Sequence, residues 1–301
     1  MIREIVYLPL WYLKNVVFGA HHPLQTVIAI TDVCNLRCRH CAPEAHACTG
    51  MKPYRMIQEE LEYSYRMGSR FVDFEGGEPT LWHDGDYVLN DLYRLAKEIG
   101  FFSCTLTTNA QQSFADTWAD SVWVSVDGYR EYHEQMRGPG TWEKLEKNIR
   151  ECGLRHVSIN MVITALNKDS VEDVIDFARS NPAIESISLN FLTPYPGTEE
   201  LLLSWEERCR MIDLIIEKKK KGYPVMNSIS GLRLMKKQEF RRACWISNFI
   251  LMDGTRLQEC PGKVLDLCEN CGFCMAGEMA AVVHLKPDTL LAGVKLRGRQ
   301  E

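Results

Sequence analysis

The sequence predicts an α/β fold, a partial TIM-type (β/α)6 barrel followed by a small cysteine-rich appendage. From residue 27 onward, short β-rich runs alternate with longer amphipathic runs, a pattern typical of parallel strands joined by right-handed helical crossovers. Six such units fit within residues 25–222, whereas a closed eightfold barrel takes ~250 residues. Residues 223–301 break the alternation and hold five cysteines within 31 residues, which predicts a separate metal-stapled unit.

The composition excludes several protein classes. Of the 301 residues, 46% are hydrophobic and 25% are charged, as in an ordinary globular protein and unlike disordered, collagenous or coiled-coil chains. The net charge of −5 gives no support to a nucleic-acid partner, which a basic excess would favour. The twelve cysteines are too dilute for a disulfide scaffold, and their clustering favours metal ligation.

Residues 1–24 predict an N-terminal apolar helix. The apolar run 5–20 is shorter than the ~20 residues needed to cross a bilayer. It is interpreted as a helix packed on the barrel, or as an interfacial helix with Trp11, Tyr7 and Tyr12 at headgroup level. Because no export signal is recognised, we expect a cytoplasmic protein with reduced thiols and, under the second interpretation, a peripheral membrane contact.

The elements of the barrel follow in order along the chain. Candidate strands are 26–30, 71–75, 102–107, 122–126, 156–163 and 185–191, and candidate helices are 57–67, 86–99, 112–118, 141–152, 170–180 and 204–221. The last helix begins after Ser204, a plausible N-cap, and ends in lysines before Gly222, which suits the helix dipole. The polar motifs follow or lie in these strands, and in such folds the chemistry sits at the carboxyl ends of the strands.

The first cysteine cluster directly follows the first strand. Cys34, Cys38 and Cys41 are spaced C-x3-C-x2-C, so three thiolates can converge on one metal centre. Structural zinc usually completes a set of four ligands, and ligation by both His40 and the adjacent Cys41 would be cramped. A [4Fe–4S] cluster held by three thiolates keeps one iron open for a substrate or cofactor.

The segment CNLRCRHC at 34–41 resembles the signature of the radical S-adenosylmethionine (SAM) enzymes. The resemblance implies that the three cysteines hold a [4Fe–4S] cluster whose open iron is chelated by SAM. It also implies that one electron, from a small donor such as ferredoxin or flavodoxin, cleaves SAM to a 5′-deoxyadenosyl radical. His40 matches the usually aromatic position that packs near the adenine.

A second motif follows the second strand. Gly76, Gly77, Glu78 and Pro79 match the GGEP motif of the same family. Glycines let the backbone approach a ligand closely, and backbone carbonyls can accept hydrogen bonds from the cofactor's ammonium group. Glu78 is expected to orient this loop.

Further matches lie after or within later strands. The segment 107–110 resembles a TNG-like motif with Ala110 where glycine is common, 125–128 matches SVDG, and 132–138 resembles H-x-x-x-R-G. The resemblance assigns cofactor contacts to Asn109, Ser125, Asp127, Asn160 and Asn190. For the last two, a buried asparagine satisfied by the backbone is the alternative interpretation.

The tail carries a second cysteine cluster. Its members, which flank and follow a predicted hairpin at 253–254, are Cys244, Cys260, Cys268, Cys271 and Cys274. Four thiolates complete a second [4Fe–4S] cluster and leave one spare; structural zinc is the main alternative. The region resembles the auxiliary-cluster appendages called SPASM or Twitch domains, and the five cysteines fit the single-cluster Twitch arrangement better. It also resembles the cysteine region of hopanoid adenosyl-transferring enzymes.

The sequence leaves the reaction open. The apolar run 5–20 and the hopanoid resemblance favour an apolar, lipid or isoprenoid-like substrate. The alternatives are modification of a peptide, dehydrogenation of a small polar substrate and, as a non-enzyme, a zinc-stapled binding module. The second cluster is expected to accept an electron, to bind substrate, or only to staple the tail over the barrel. Cys48 is interpreted as an ordinary loop thiol, and no catalytic side chain is identified.

Overall fold

The protein is represented by a computed structural model that describes residues 2–41, 50–237 and 239–295. The strands are β1 (Gln25–Thr31), β2 (Phe71–Gly76), β3 (His83–Asp84), β4 (Tyr87–Val88), β5 (Ser103–Thr108), β6 (Ser121–Ser125), β7 (Val157–Ile163), β8 (Ile184–Phe191), β9 (Ser247–Ile250) and β10 (Arg256–Leu257). The helices are α1 (Ile2–Tyr12), α2 (Tyr54–Met67), α3 (Leu89–Ile99), α4 (Glu131–Arg137), α5 (Thr141–Glu151), α6 (Val171–Ser180), α7 (Trp205–Lys220), α8 (Ile229–Met235), α9 (Pro261–Val264), α10 (Met275–Val283) and α11 (Pro287–Lys295).

One sheet organises the molecule. Its strand order is β10-β9-β1-β2-β5-β6-β7-β8, and every pair from β1 to β8 in this order is parallel. These six strands are the six that the sequence predicts, so the partial barrel is confirmed. The short strands β3 and β4 form a separate antiparallel pair.

The tail extends the sheet, which the sequence does not predict. β9 pairs in parallel with β1, with Gln25 opposite Ser247, and β10 returns antiparallel to β9. The predicted hairpin at 253–254 is therefore present. The barrel opens between β8 at one edge of the sheet and the β9–β10 hairpin at the other.

The helices agree with the amphipathic pattern, with one exception. At the start of α7, the Ser204 hydroxyl accepts from the Glu207 N–H while the Glu207 carboxylate accepts from the Ser204 N–H, a capping box. The predicted helix at 112–118 is wrong, since this segment forms turns. Its Ser113 and Thr117 hydroxyls accept from the N–H groups two residues on, and such local bonds compete with helix formation.

The aromatic residues of α1 face the barrel. Trp11 is 5% exposed, the Tyr7 hydroxyl donates to the Gly68 carbonyl, and the Tyr12 hydroxyl donates to the Val283 carbonyl. The packed-helix interpretation is therefore confirmed, and the expected headgroup position of these rings is wrong. The opposite face and the following turn expose apolar side chains, namely Ile5, Val6, Leu10, Leu13, Val17 and Phe18.

The main core lies between the sheet and its outer helices. Alternate strand residues such as Ile28, Phe74 and Leu106 are fully buried in it, as the two-residue period of a strand requires. In the described parts of the chain, no helix combines the length and apolar character needed to span a bilayer.

Candidate functional site

The first three predicted ligands lie in the loop that leaves β1. Cys38 and Cys41 share a hydrogen bond, which raises the pKa of Cys38 and lowers that of Cys41. The Cys34 sulfur accepts from the Leu36 N–H at 3.4 Å. Cys34 also affects the pKa of Cys41, and Cys38 that of Cys34, so the three sulfurs lie near one another after β1. Cys48 lies outside the described residues.

The two glycines of the GGEP motif bring its backbone against the cysteine loop. The Gly77 N–H donates to the Thr31 carbonyl at 2.7 Å and the Glu78 N–H donates to the Val33 carbonyl at 2.9 Å. A Cβ on Gly77 would lie 2.3 Å from the Val33 oxygen, and one on Gly76, whose φ is +148°, would lie 1.9 Å from the Thr31 oxygen. Only glycine allows this approach.

Glu78 ties this loop to the next strand end. Its buried carboxylate accepts from the Thr108 hydroxyl and the Asn109 N–H, both at 2.7 Å. The Asn109 side chain donates to Asn35 in the cysteine loop at 2.7 Å. Ala110 has a φ of +55°, a region that favours glycine, which accounts for the glycine common at this position. Pro79 is buried and starts a 3₁₀ turn.

A buried ion pair lies beneath the cysteine loop. Arg137 Nε donates to Asp127 Oδ2 at 2.7 Å, and Arg137 Nη1 lies 3.9 Å from the Cys38 sulfur. Burial opposes ionisation of Asp127, but Arg137 and a hydrogen bond from the Val162 N–H outweigh it, so the pKa of Asp127 is below its ordinary value. A fixed positive charge therefore stands beside the sulfurs, balanced by a fixed carboxylate.

Two histidines flank this pair. His40 Nε2 lies 3.5 Å from Asp127 Oδ2, and His133 Nδ1 accepts from the Asp127 N–H. Burial lowers the pKa of both, to about 3 for His133. Both imidazoles are therefore neutral at physiological pH, so they add no second positive charge beside Arg137.

A cavity of about 680 Å³ opens at the carboxyl ends of the strands. It is lined by His40 and Gly76 on one side and by cysteines of the tail on the other. Asn160 and Asn190 also line it, and the Asn190 amide donates to Asn160 while accepting from the Cys274 N–H. Asn190 is thus held by the protein itself, as the alternative interpretation expects.

The remaining predicted contact, Ser125, ends β6. It pairs with Asn160 of β7, which places it at the same end of the barrel. Among the described residues it does not line the 680 Å³ cavity.

The five tail cysteines separate into a group of four and one other. The four that line the cavity are Cys244, Cys260, Cys268 and Cys271. Burial and the three others raise the pKa of Cys244 to about 12, so the four sulfurs lie close together. Cys274 is instead 1% exposed within the main core.

Two arginines donate hydrogen bonds to the backbone of the cysteine segment. Arg208 donates to the Cys271 carbonyl at 2.7 Å and Arg242 donates to the Cys268 carbonyl at 2.8 Å. Each also has a buried Nε–H with no partner in the described chain. Buried donors are expected to meet an acceptor, and cluster sulfur can accept hydrogen bonds.

The cysteine segment is joined to the far edge of the barrel at Gly272. The Gly272 carbonyl accepts from the Phe191 N–H at 2.8 Å, and its N–H donates to the Thr193 hydroxyl at 3.0 Å. Because β9 is anchored beside β1, the tail spans the opening between the two edges of the sheet and closes one side of the cavity.

The donor sets fit iron–sulfur clusters. Among residues 2–41, 50–237 and 239–295, no three Cys, His, Asp or Glu side chains surround a point at single-ion distances. In a four-iron cluster each ligated iron takes its own cysteine, so the ligating sulfurs need not surround a single point. Three thiols with an adjacent glycine-lined backbone fit an open-iron cluster and its ligand, and four thiols fit a fully ligated one.

Comparison with known families decides the assignment. The radical SAM superfamily matches residues 28–179, half of the chain. The chain belongs to the radical SAM superfamily. Its cofactors are therefore a [4Fe–4S] cluster and SAM, and it is an enzyme.

Curated relatives match the same region. A probable GTP 3′,8-cyclase of Methanosarcina mazei is 30% identical over 165 residues, covering 50% of this chain and 49% of that protein. The GTP 3′,8-cyclase of Pectobacterium atrosepticum is 27% identical over 182 residues, covering 55% and 53%. The chain spans about half the length of the curated relatives it matches.

Solved structures share the fold over more of the chain. Streptococcus suis SuiB bound to the precursor peptide SuiA has a TM-score of 0.62 at 20% identity, over 82% of this chain and 61% of that one. Native anSMEcpe with bound AdoMet and a Cp18Cys peptide has a TM-score of 0.61 at 18% identity, over 93% of this chain and 84% of that one.

Three site residues are missing from the sequence-based set. Arg137 is the arginine of the H-x-x-x-R-G segment, so the sequence motif could have identified it as a site residue. Glu75 and Tyr195 line the cavity but stand outside any recognised motif. For Glu75, the signal is an acidic residue facing inward on an otherwise β-rich strand.

Proposed function

We propose that this radical SAM enzyme acts on an apolar substrate held between the two cysteine groups. The observation that carries the proposal is the cavity lined by His40 and Gly76 of the first site on one side and by four cysteines of the tail on the other. When bound, the cluster and SAM supply a 5′-deoxyadenosyl radical, using one electron from a donor such as ferredoxin or flavodoxin. Such a radical needs a site shielded from water, and the tail closes the cavity on one side.

The first site uses the residues at the ends of β1, β2, β5 and β6. Cys34, Cys38 and Cys41 would hold the SAM cluster. The backbone at Gly76 and Gly77 is free of side chains and would accept hydrogen bonds from the SAM ammonium group. Asn109, Ser125 and Asp127, with His40, Asn160 and Asn190, would border the rest of SAM.

A second [4Fe–4S] cluster would be held by the four cavity cysteines, Cys244, Cys260, Cys268 and Cys271. Cys274 would be a packing residue. Four thiolates leave no iron open. This supports electron transfer or stapling of the tail, in the Twitch manner, over binding of substrate at iron.

The lining supports an apolar substrate, of lipid or isoprenoid type. Its side chains include Val27, Val162, Phe249, Leu251 and Phe273. Among the described residues, the charged side chains that border it are two basic, Arg242 and Lys263, and two acidic, Glu75 and Glu259. This balance does not favour a triphosphate such as GTP, which calls for an excess of positive charge.

A peptide substrate is the second candidate. SuiB and anSMEcpe share the fold and were solved with bound peptides. An apolar side chain of a peptide would suit the same cavity. A contact with a lipid surface is supported by the exposed apolar face of α1, which would place a membrane-borne substrate near the protein.

The test is an anaerobic preparation of the full chain with iron, sulfide and 5′-deoxyadenosine measured after reduction with SAM present. Two clusters predict about eight irons per chain. Cys38→Ala should abolish 5′-deoxyadenosine formation. Cys271→Ala should lower the iron content toward about four, whereas the matched Cys274→Ala should retain about eight. Iron-free protein after reconstitution, or unchanged turnover of Cys38→Ala, would refute the proposal.

A further inference from the structure

One carboxylate in the barrel has no partner in the described chain. Along β2, Val72 and Phe74 are fully buried against the helices, and the alternate residues Asp73 and Glu75 face the barrel interior. Asp73 is held by hydrogen bonds from Gln25 and Thr105. Glu75 makes no hydrogen bond or ion pair with the described residues and faces the 680 Å³ cavity.

A phenol stands near this carboxylate in the same cavity. Tyr195 follows β8 and lines the cavity, and its hydroxyl makes no hydrogen bond with the described residues. Burial, with Cys260, Cys271 and Glu75 as neighbours, raises the pKa of Tyr195. Tyr195 therefore keeps its proton and lies between Glu75 and the tail cysteines.

The surroundings suit these two groups to binding a ligand. Burial together with Asp73 raises the pKa of Glu75 to about 7, although its side chain is open to the cavity. Both side chains are open to the cavity, so a bound molecule can reach them. A few polar groups in a largely apolar cavity are the usual pattern of a ligand site.

We propose that Glu75 and Tyr195 bind the polar end of the substrate, a group that donates hydrogen bonds, namely a hydroxyl or an ammonium. The apolar remainder of the substrate lies against the aliphatic and aromatic lining. This inference rests on the proposed function and adds to it a specificity-determining pair. Glu75 accepts from the donor group, and Tyr195 accepts from an ammonium or donates to a hydroxyl.

The test uses n-octylamine, n-octanol and octanoate as probes. Binding to the reconstituted full chain is measured by isothermal titration calorimetry with saturating SAM, so that the amine cannot occupy the SAM site. The wild type should bind octylamine most tightly and octanoate most weakly. Glu75→Gln should reduce the preference for octylamine over octanoate about tenfold or more, the usual effect of losing a charge-assisted hydrogen bond.

Two further variants complete the test. Tyr195→Phe should weaken octanol and octylamine binding by roughly threefold to tenfold. Glu259→Gln is the matched control, because Glu259 borders the same cavity but forms an ion pair with Lys263, and it should keep the wild-type order. The inference is overturned if the wild type binds no octylamine at millimolar concentration or prefers octanoate. It is also overturned if Glu75→Gln keeps the preference or Glu259→Gln loses it.

Binding and turnover are read separately. Failure of the wild type to form 5′-deoxyadenosine would count against the proposed function. If the wild type forms 5′-deoxyadenosine normally but does not prefer octylamine over octanoate, the result would count against the Glu75–Tyr195 pair alone.

Discussion

Replacing Gly272 by alanine tests whether the tail is held across the barrel opening as the structure describes. A Cβ at this position would lie 2.2 Å from the Phe191 carbonyl oxygen and 2.3 Å from that of Leu192. An ordinary carbon–oxygen contact is about 3.3 Å, so the segment must move by about 1 Å. Both contacts are backbone atoms at the end of β8, which cannot rotate away.

The movement has a cost that can be worked from the hydrogen bonds it disturbs. They are the Phe191 N–H to Gly272 bond at 2.8 Å, the Gly272 N–H to Thr193 bond at 3.0 Å, and the neighbouring Cys274 N–H to Asn190 bond at 2.8 Å. At about 1 kcal/mol each, their loss lowers the free energy of unfolding by about 3 kcal/mol. Because Cys271 and Cys268 lie in the displaced segment, the iron of the tail cluster should fall as well.

The assay is urea denaturation together with iron and sulfide analysis of anaerobic protein. Gly262→Ala is the matched control, since its Cβ would meet the Cys260 sulfur at an ordinary 3.5 Å in the same cysteine-rich region. Gly272→Ala should lower the urea midpoint and the iron content, and Gly262→Ala should change neither. Equal midpoints and equal iron in the two variants would refute the described closure.

Three further predictions test other parts of the molecule. Arg137→Gln leaves Asp127 buried without its ion-pair partner, and should cost about 3 kcal/mol or more in urea denaturation; an unchanged midpoint would contradict the pairing. Burial raises the pKa of Glu278 in the folded state to about 7, above its unfolded value near 4.5. The free energy of unfolding therefore falls as the pH rises from the unfolded pKa to the folded one, because only the unfolded state gives up the proton in that range. The wild type should therefore lose about 2 kcal/mol relative to Glu278→Gln between pH 5.5 and 8, and parallel pH profiles would contradict this. Leu10→Glu, which places a charge on the exposed face of α1, should weaken co-sedimentation with anionic vesicles, while the equally exposed control Val264→Glu should not; equal loss in both would contradict a specific contact.

The barrel was readable from the sequence because its signals are local. The strands from β1 to β8 each carry a β-rich run, and the helices between them carry amphipathic periodicity. The hairpin of β9 and β10 carries a local turn signal, but the pairing of β9 with β1 could not be predicted, because it joins segments more than 200 residues apart. At 112–118, local hydroxyl bonds at Ser113 and Thr117 competed with the helical pattern.

The cofactor motifs were readable for the same reason. The spacing of Cys34, Cys38 and Cys41 and the pair Gly76–Gly77 are features of contiguous sequence. The separation of Cys274 from the other tail cysteines could not be predicted, since it depends on the packing of α10 against α8 and on the hydrogen bond from the Cys274 N–H to Asn190 of β8. The roles of Glu75 and Tyr195 could not be predicted for a similar reason. Glu75 lies near the end of β2 and Tyr195 follows β8, and only the folded barrel brings these two positions to the same cavity.

The closure of the barrel links the two cysteine groups physically. The first group is fixed at the end of β1, and β9 pairs with that same strand, so the start of the tail is in register with the SAM site. The end of the tail is fixed to β8 through Gly272. A cluster bound by Cys244, Cys260, Cys268 and Cys271 would therefore join these two attachments and hold the opening closed. Stapling of the tail and electron transfer are therefore compatible roles. The same four cysteines would hold the cluster beside the cavity, where it could exchange an electron with the substrate, and would form one wall of that cavity.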